Sequence, residues 1–258
     1  MTETSQEGAQ HFATKYVIPM QNSLVSKYQT SSILPLYHGP CVKIRIQPSN
    51  NEYMISKSLL CKESPVFSAM FEGGFLESQQ MSADLEETED VVSVRSLEAF
   101  FQWLYRRIVR FDIKRPREHI SAAMELVRFA DKYNVVGLEM EMAQYIRGIL
   151  VNRDTLAFLD PWDVNTAFLS RDHIVSATFL PRGHPVRQVL AAASVRGYLQ
   201  NENYKFARET QDYPSFGADL LLEVRLTLNR VKYARSGTFK DPLDETFFQI
   251  DFNVAGND

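Results

Sequence analysis

Met54-Ile-Ser-Lys-Ser-Leu-Leu-Cys-Lys-Glu-Ser-Pro-Val-Phe-Ser-Ala-Met-Phe-Glu-Gly-Gly-Phe-Leu-Glu-Ser78 packs two helix starts, a helix stop and an apolar-acidic loop into one short stretch. Ser56 and Ser64 stand where a hydroxyl can accept from the backbone N–H groups of a first helical turn. Pro65 follows the second serine at the position where its missing N–H costs nothing. Two short helices are therefore expected. Leu59 and Leu60 give the first an apolar side, and Val66, Phe67, Met70 and Phe71 give the second a stripe that requires burial. Gly73-Gly74 stops that helix, with a left-handed glycine expected at its C-terminus. Phe75, Leu76 and Glu77 come next. An aromatic ring just past a helix end can be presented outward to a partner's pocket, and a nearby carboxylate can fix the register. The plainer reading is that Phe75 closes the chain's own core and Glu77 is a solvated charge.

On the N-terminal side, Val42, Ile44 and Ile46 alternate with Lys43, Arg45 and Gln47, the period of a half-buried strand. Pro48 to Asn51 reads as a turn, and Tyr53 to Ile55 as the returning arm of a hairpin. Val91 to Val94 predicts a further short strand, because its residues are β-branched. Asp84, Glu86, Glu87, Glu89 and Asp90 before it read as a solvated loop. Leu97, Phe100, Phe101 and Leu104 then predict a helix capped by Ser96. A helix over about 118–132 buries Ile120, Ala123, Met124, Val127 and Ala130. Another over about 136–150 buries Leu138, Met142, Ile146 and Ile149.

After Leu150 the pattern is helical. Pro161 and the turn Leu180-Pro-Arg-Gly-His-Pro185 bound a segment near 162–178, and His184 is read as a helix-entry residue. The helix opening at Pro185 turns Val186, Val189, Leu190 and Ala193 inward. The one after Pro214-Ser215 turns Leu220, Leu221, Val224 and Leu228 inward. In Phe247-Phe-Gln-Ile-Asp-Phe252, Phe248, Ile250 and Phe252 alternate with polar residues, so the stretch can act as a strand, docked on the chain itself or on another protein.

Composition is that of an ordinary globular chain: 258 residues, 45% apolar, 23% charged and a net charge of -4. That balance gives no overall pull toward nucleic acid or an anionic membrane. The basic run Arg106, Arg107, Arg110, Lys114, Arg115 and Arg117 leaves nucleic-acid binding as an alternative, but no nucleic-acid motif accompanies it. It could also meet the acidic run of a second molecule, in a salt-sensitive contact. Cys41 and Cys61 lack the spacing of a zinc pair and are expected as buried thiols. The sequence holds no Gly-x-Ser-x-Gly, Gly-x-Gly-x-x-Gly or His-Glu-x-x-His signature. Asp172-His173 has no placed nucleophile beside it. No catalytic residue, metal or cofactor is expected. No apolar run reaches the roughly 20 residues that span a bilayer, and the cytoplasm or nucleus is the expected location.

The run Ser56-Lys57, Leu59-Leu60, Ser64-Pro65, Phe67, Met70-Phe71, Gly73-Gly74-Phe75, Glu77-Ser78 resembles the centre of the BTB/POZ domain, in its fungal form. The helices Phe100-Phe101-Gln-Trp-Leu-Tyr105 and Leu126-Val-Arg-Phe-Ala-Asp-Lys-Tyr133 resemble the family's later helices. The resemblance implies an α+β fold over residues 38–150, a short β-sheet with a helical bundle. It is preceded by a mobile arm at 1–35 and followed by an all-α C-terminal extension at 151–235 and a tail at 236–258. It also implies a non-catalytic interaction module with protein partners. In adaptor members the loop matching Phe75, Leu76 and Glu77 enters a groove of the cullin-3 ubiquitin-ligase scaffold; self-association, as a homodimer or a transcription-related assembly, is the other outcome. Two positions depart from the pattern. Ser56 replaces a histidine, and Cys41 replaces an aspartate that in dimeric relatives belongs to a charged cluster at the dimer interface.

Overall fold

The computed structural model describes residues 39–152, 164–228 and 236–251. It divides into two compact units, Met1–Glu139 and Met140–Asp258. The arm expected at 1–35, Pro161 and Phe252 lie outside the described residues.

The first unit is built on a three-stranded sheet with β1 (Cys41–Gln47) at its centre. β2 (Asn51–Ser56) pairs antiparallel with it, and β3 (Ser82–Glu86) pairs parallel on the other side. Alternation decides which face goes inside: Val42, Ile44, Ile46, Ala83 and Leu85 are buried. The opposite face carries a charge ladder across all three strands. Arg45 bonds Glu52 at 2.9 Å and lies 3.6 Å from Asp84, while Lys43 meets Glu52 at 3.0 Å. Hydrogen bonds from Lys43 and Arg45 hold the Glu52 carboxyl below its usual range. The third strand is therefore not at 91–94, where only an isolated bridge joins Thr88 to Val92. Asp84 and Glu86, expected in a loop, are the outward residues of β3, with Ala83 and Leu85 inward. Two inward residues, only one of them large, in a strand that also carries two acids gave too little apolar weight to be read as a strand.

Helices α1 (Lys57–Glu63) and α2 (Pro65–Glu72) start as expected, on Ser56 and Ser64. The Ser64 hydroxyl accepts from Phe67 N at 3.1 Å and also donates to Tyr133 O, which ties the start of α2 to the end of a later helix. After α3 (Leu76–Gln80) and β3 come α4 (Val94–Arg106) and α5 (Pro116–Lys132). The cap of α4 is Ser93, not Ser96; the two serines form a reciprocal capping box. The predicted inward residues of α4 and α5 are all buried. Phe67 is the hub of this core. It stacks on Tyr133 at 4.7 Å and Phe100 at 6.2 Å, and Phe129 closes the cluster at 5.2 Å from Phe100 and 4.6 Å from Tyr133.

The second unit takes most of α6 (Leu138–Val151), followed by α7 (Arg171–Thr178), α8 (Pro185–Gln200), α9 (Ala207–Asp212) and α10 (Pro214–Leu228). His184 caps α8 by accepting from Val186 N at 3.2 Å. His173, inside the first turn of α7, reaches back to accept from the N–H of the cap residue Ser170 and completes a capping box. Val195, Leu220 and Val224 form an inner cluster covered by Tyr198, Leu199 and Tyr204. Arg187 is buried against Asp219 at 2.7 Å and donates to the carbonyls of Leu180 and Ser215. Val189 is only half-buried. Leu221 and Leu228, expected inside, are exposed. Leucines occur on both sides of α10, so periodicity could not choose its inner face.

The tail is not a bare continuation of the helices. Strands β4 (Ser236–Lys240) and β5 (Phe247–Asp251) form an antiparallel hairpin in which Phe239 and Phe248 stack at 5.6 Å, both buried. Arg147 donates to Pro242 O at 3.1 Å, and the buried Asp241 accepts from Asn165 and from Leu243 N. The alternation around Phe248 marked one of these strands. Its partner, Ser-Gly-Thr-Phe-Lys, has one large apolar residue and gave no such signal.

Candidate partner-binding loop

The loop after α2 is shaped by two kinds of local constraint. Phe67 and Phe71 anchor one side of α2 in the core. The opposite side runs Val66, Ala69, Met70, Gly73, spaced i, i+3, i+4, i+7, and stays exposed or half-exposed. Val66 and Met70 were expected to be buried. Burial follows the phenylalanine stripe, and these two residues lie on the second stripe.

Gly73 ends α2, but not through a left-handed conformation: its φ is -77°. A side chain is excluded there for another reason. A Cβ would stand 2.3 Å from Ala69 O and 3.1 Å from the Phe75 ring. The missing side chain lets the ring of Phe75 lie against the helix end. Phe75 occupies the position before α3, its carbonyl accepting from Ser78 N at 3.2 Å and from the Ser78 hydroxyl at 2.7 Å. At the other end of α3, Met81 adopts φ 51°. The loop is thus held by main-chain geometry on both sides.

On this frame Phe75 is 59% and Leu76 61% exposed. Glu77 is half-buried in the first turn of α3 and makes no side-chain hydrogen bond or ion pair among the described residues. All three predicted residues come together here. The adjoining stripe of Val66, Ala69 and Met70 extends their apolar surface along α2. It was legible only as a second i, i+3, i+4 series beside the phenylalanines.

The remaining candidates disperse. Arg107 is tied to Glu63 and lies 4.1 Å over Trp103, and Arg115 meets Glu118 at 3.4 Å, so two members of the basic run have intramolecular partners. Cys41 is exposed and Cys61 half-buried, against the expectation of two buried thiols. Cys41 opens β1 paired with Ser56, on the outward face that also carries Lys43 and Arg45. Partial burial, and secondarily Glu72, push the Cys61 thiol up to about 11. Among the described residues no three His, Cys, Asp or Glu side chains gather where they could hold a metal ion. No helix among them is long and apolar enough to cross a membrane.

The exposed Phe75 and Leu76 stand on a three-stranded sheet backed by helices, a unit that the family comparison assigns to a protein–protein interaction domain. The family model of the BTB/POZ domain matches residues 41–150, and the chain carries a BTB/POZ domain there. Such domains are generally non-catalytic. No curated protein matches the chain.

Proposed function

We propose that the chain is a substrate adaptor whose BTB/POZ domain binds a cullin-3 ubiquitin-ligase scaffold through Phe75, Leu76 and Glu77. Phe75 is the apolar anchor, Leu76 widens the contact, and Glu77 sets the register by meeting a basic or N–H group. The observation that carries this reading is the outward presentation of Phe75 and Leu76 beside an unpaired carboxylate, on a loop fixed by Gly73 and α3. The helical region and hairpin beyond residue 150 hold the client, and the complex works in the cytoplasm or nucleus.

The test is a calorimetric titration of the full chain with the N-terminal region of cullin-3 from the same organism. Binding near or below the micromolar range, about -8 kcal/mol, is expected. Covering the exposed part of Phe75 contributes about 2 kcal/mol at roughly 25 cal/mol per Å². Phe75→Ala should therefore weaken binding roughly 30-fold while the circular dichroism spectrum stays unchanged. No heat at high concentration, with both proteins folded, overturns the adaptor reading and leaves BTB-mediated self-association.

A further inference from the structure

The second unit contains a cleft of about 290 Å³ with a regular construction. Met140, Ala143, Gln144 and Arg147 on α6 form one wall, and Pro185, Gln188, Val189 and Ala192 on α8 form the other. Each set is spaced i, i+3, i+4, i+7, so two helical stripes face each other across the cleft over about 10 Å. Ala143, Ala192 and Leu243 are buried and give it a small, apolar floor. Gln144 and Gln188 stand exposed on opposite walls. Arg147 is half-buried and, among the described residues, makes one side-chain hydrogen bond, to Pro242 O at 3.1 Å.

We infer that this cleft binds a short extended peptide segment of a partner protein, one that carries an apolar side chain and a single carboxylate. The volume falls at the lower end of small-ligand pockets, roughly 300–1,000 Å³, which suits one or two side chains better than a cofactor. A length of about 10 Å spans three residues of extended chain at about 3.3 Å each. Gln144 offers a donor and an acceptor to a peptide backbone lying in the cleft, and Gln188, whose Nε2 already donates to Gly183 O at 3.3 Å, offers its carbonyl oxygen. The guanidinium of Arg147 presents N–H groups in a fork that matches a carboxylate. Glu223 lines the same cleft from α10. Among the described residues Arg147 is the one cation of the lining, and it matches one carboxylate.

The inference does not depend on the cullin-3 reading, and its test uses no scaffold, so either can fail alone. The probe is a phage-displayed library of random heptapeptides panned on the full chain, with the enriched peptide then titrated by fluorescence anisotropy. Enriched sequences should share an apolar residue within about three positions of one Asp or Glu. Arg147→Met should weaken the peptide tenfold or more, and Val189→Trp, which fills the cleft from its half-buried wall, should abolish binding. Thermal melts establish that both variants are folded. Failure to enrich any peptide overturns the inference, as does a selected peptide whose affinity changes less than twofold in both folded variants.

Discussion

Replacing Ser64 by alanine removes one oxygen and two hydrogen bonds from a fully buried position. The first bond caps α2 at Phe67 N, and losing such a cap costs typically about 1 kcal/mol. The second is the donation to Tyr133 O at the end of α5. Leaving a buried acceptor without its donor costs a further 1–3 kcal/mol, roughly. Together the change should lower stability by about 3 kcal/mol, a large share of the roughly 5–15 kcal/mol that holds a domain folded. Urea unfolding followed by Trp103 fluorescence, in a Trp162→Phe background, isolates the first unit. The comparator is Ser93→Ala, which removes a cap at a half-buried site, from Ser96 N at 3.1 Å, and should cost only about 1 kcal/mol. Equal losses in the two variants would refute the idea that Ser64 clamps two helices and reduce it to an ordinary cap.

The adjacent glycines should respond in opposite ways: Gly73→Ala forces a Cβ to 2.3 Å from Ala69 O, whereas Gly74 has nothing within 4 Å of the same atom. Gly73→Ala should lower the melting temperature and impair partner binding at Phe75, and Gly74→Ala should change neither; similar melts for both would remove the close-approach argument. The thiols should separate under alkylation with iodoacetamide at pH 8. A Cys61 thiol pushed up to about 11 is ionised in about one molecule per thousand there, so peptide mass spectrometry should find the exposed Cys41 labelled first. Equal labelling rates would show that Cys61 is not shielded in solution.

Much of the first unit was legible because its signals are local. The caps Ser56 and Ser64, Pro65 and the inward stripes of α4 and α5 each act within a turn or two of helix, and the structure places them as expected, whereas the cap of α4 falls three residues before Ser96. The misreadings share a different cause. β3 is stabilised by pairing with a strand about forty residues earlier, and Ala83 and Leu85 alone carry too little apolar weight to announce it. Gly73 ends α2 where its position predicts, but the constraint on it is the Phe75 ring and the Ala69 carbonyl rather than its own φ. In the second unit, leucines on both sides of α10 hid which face was inner. The cleft between α6 and α8 depends on tertiary packing, and no sequence spacing within one helix could reveal it. The candidate loop was readable by position, while its outward orientation was not.

The two neighbours of β1 also differ in how they are reached in time. Its register with β2 joins Ile46 to Asn51, whereas its register with β3 joins Lys43 to Ser82. The separation grows about eightfold, three doublings, which adds about 2 kcal/mol of loop-closure entropy at roughly 0.6 kcal/mol each. The hairpin therefore closes a much shorter loop than the parallel pairing, whose path runs through α1, α2 and α3. The loop bearing Phe75 lies on that path, so the segment that offers the outward anchor is also part of the connection between the two parallel strands.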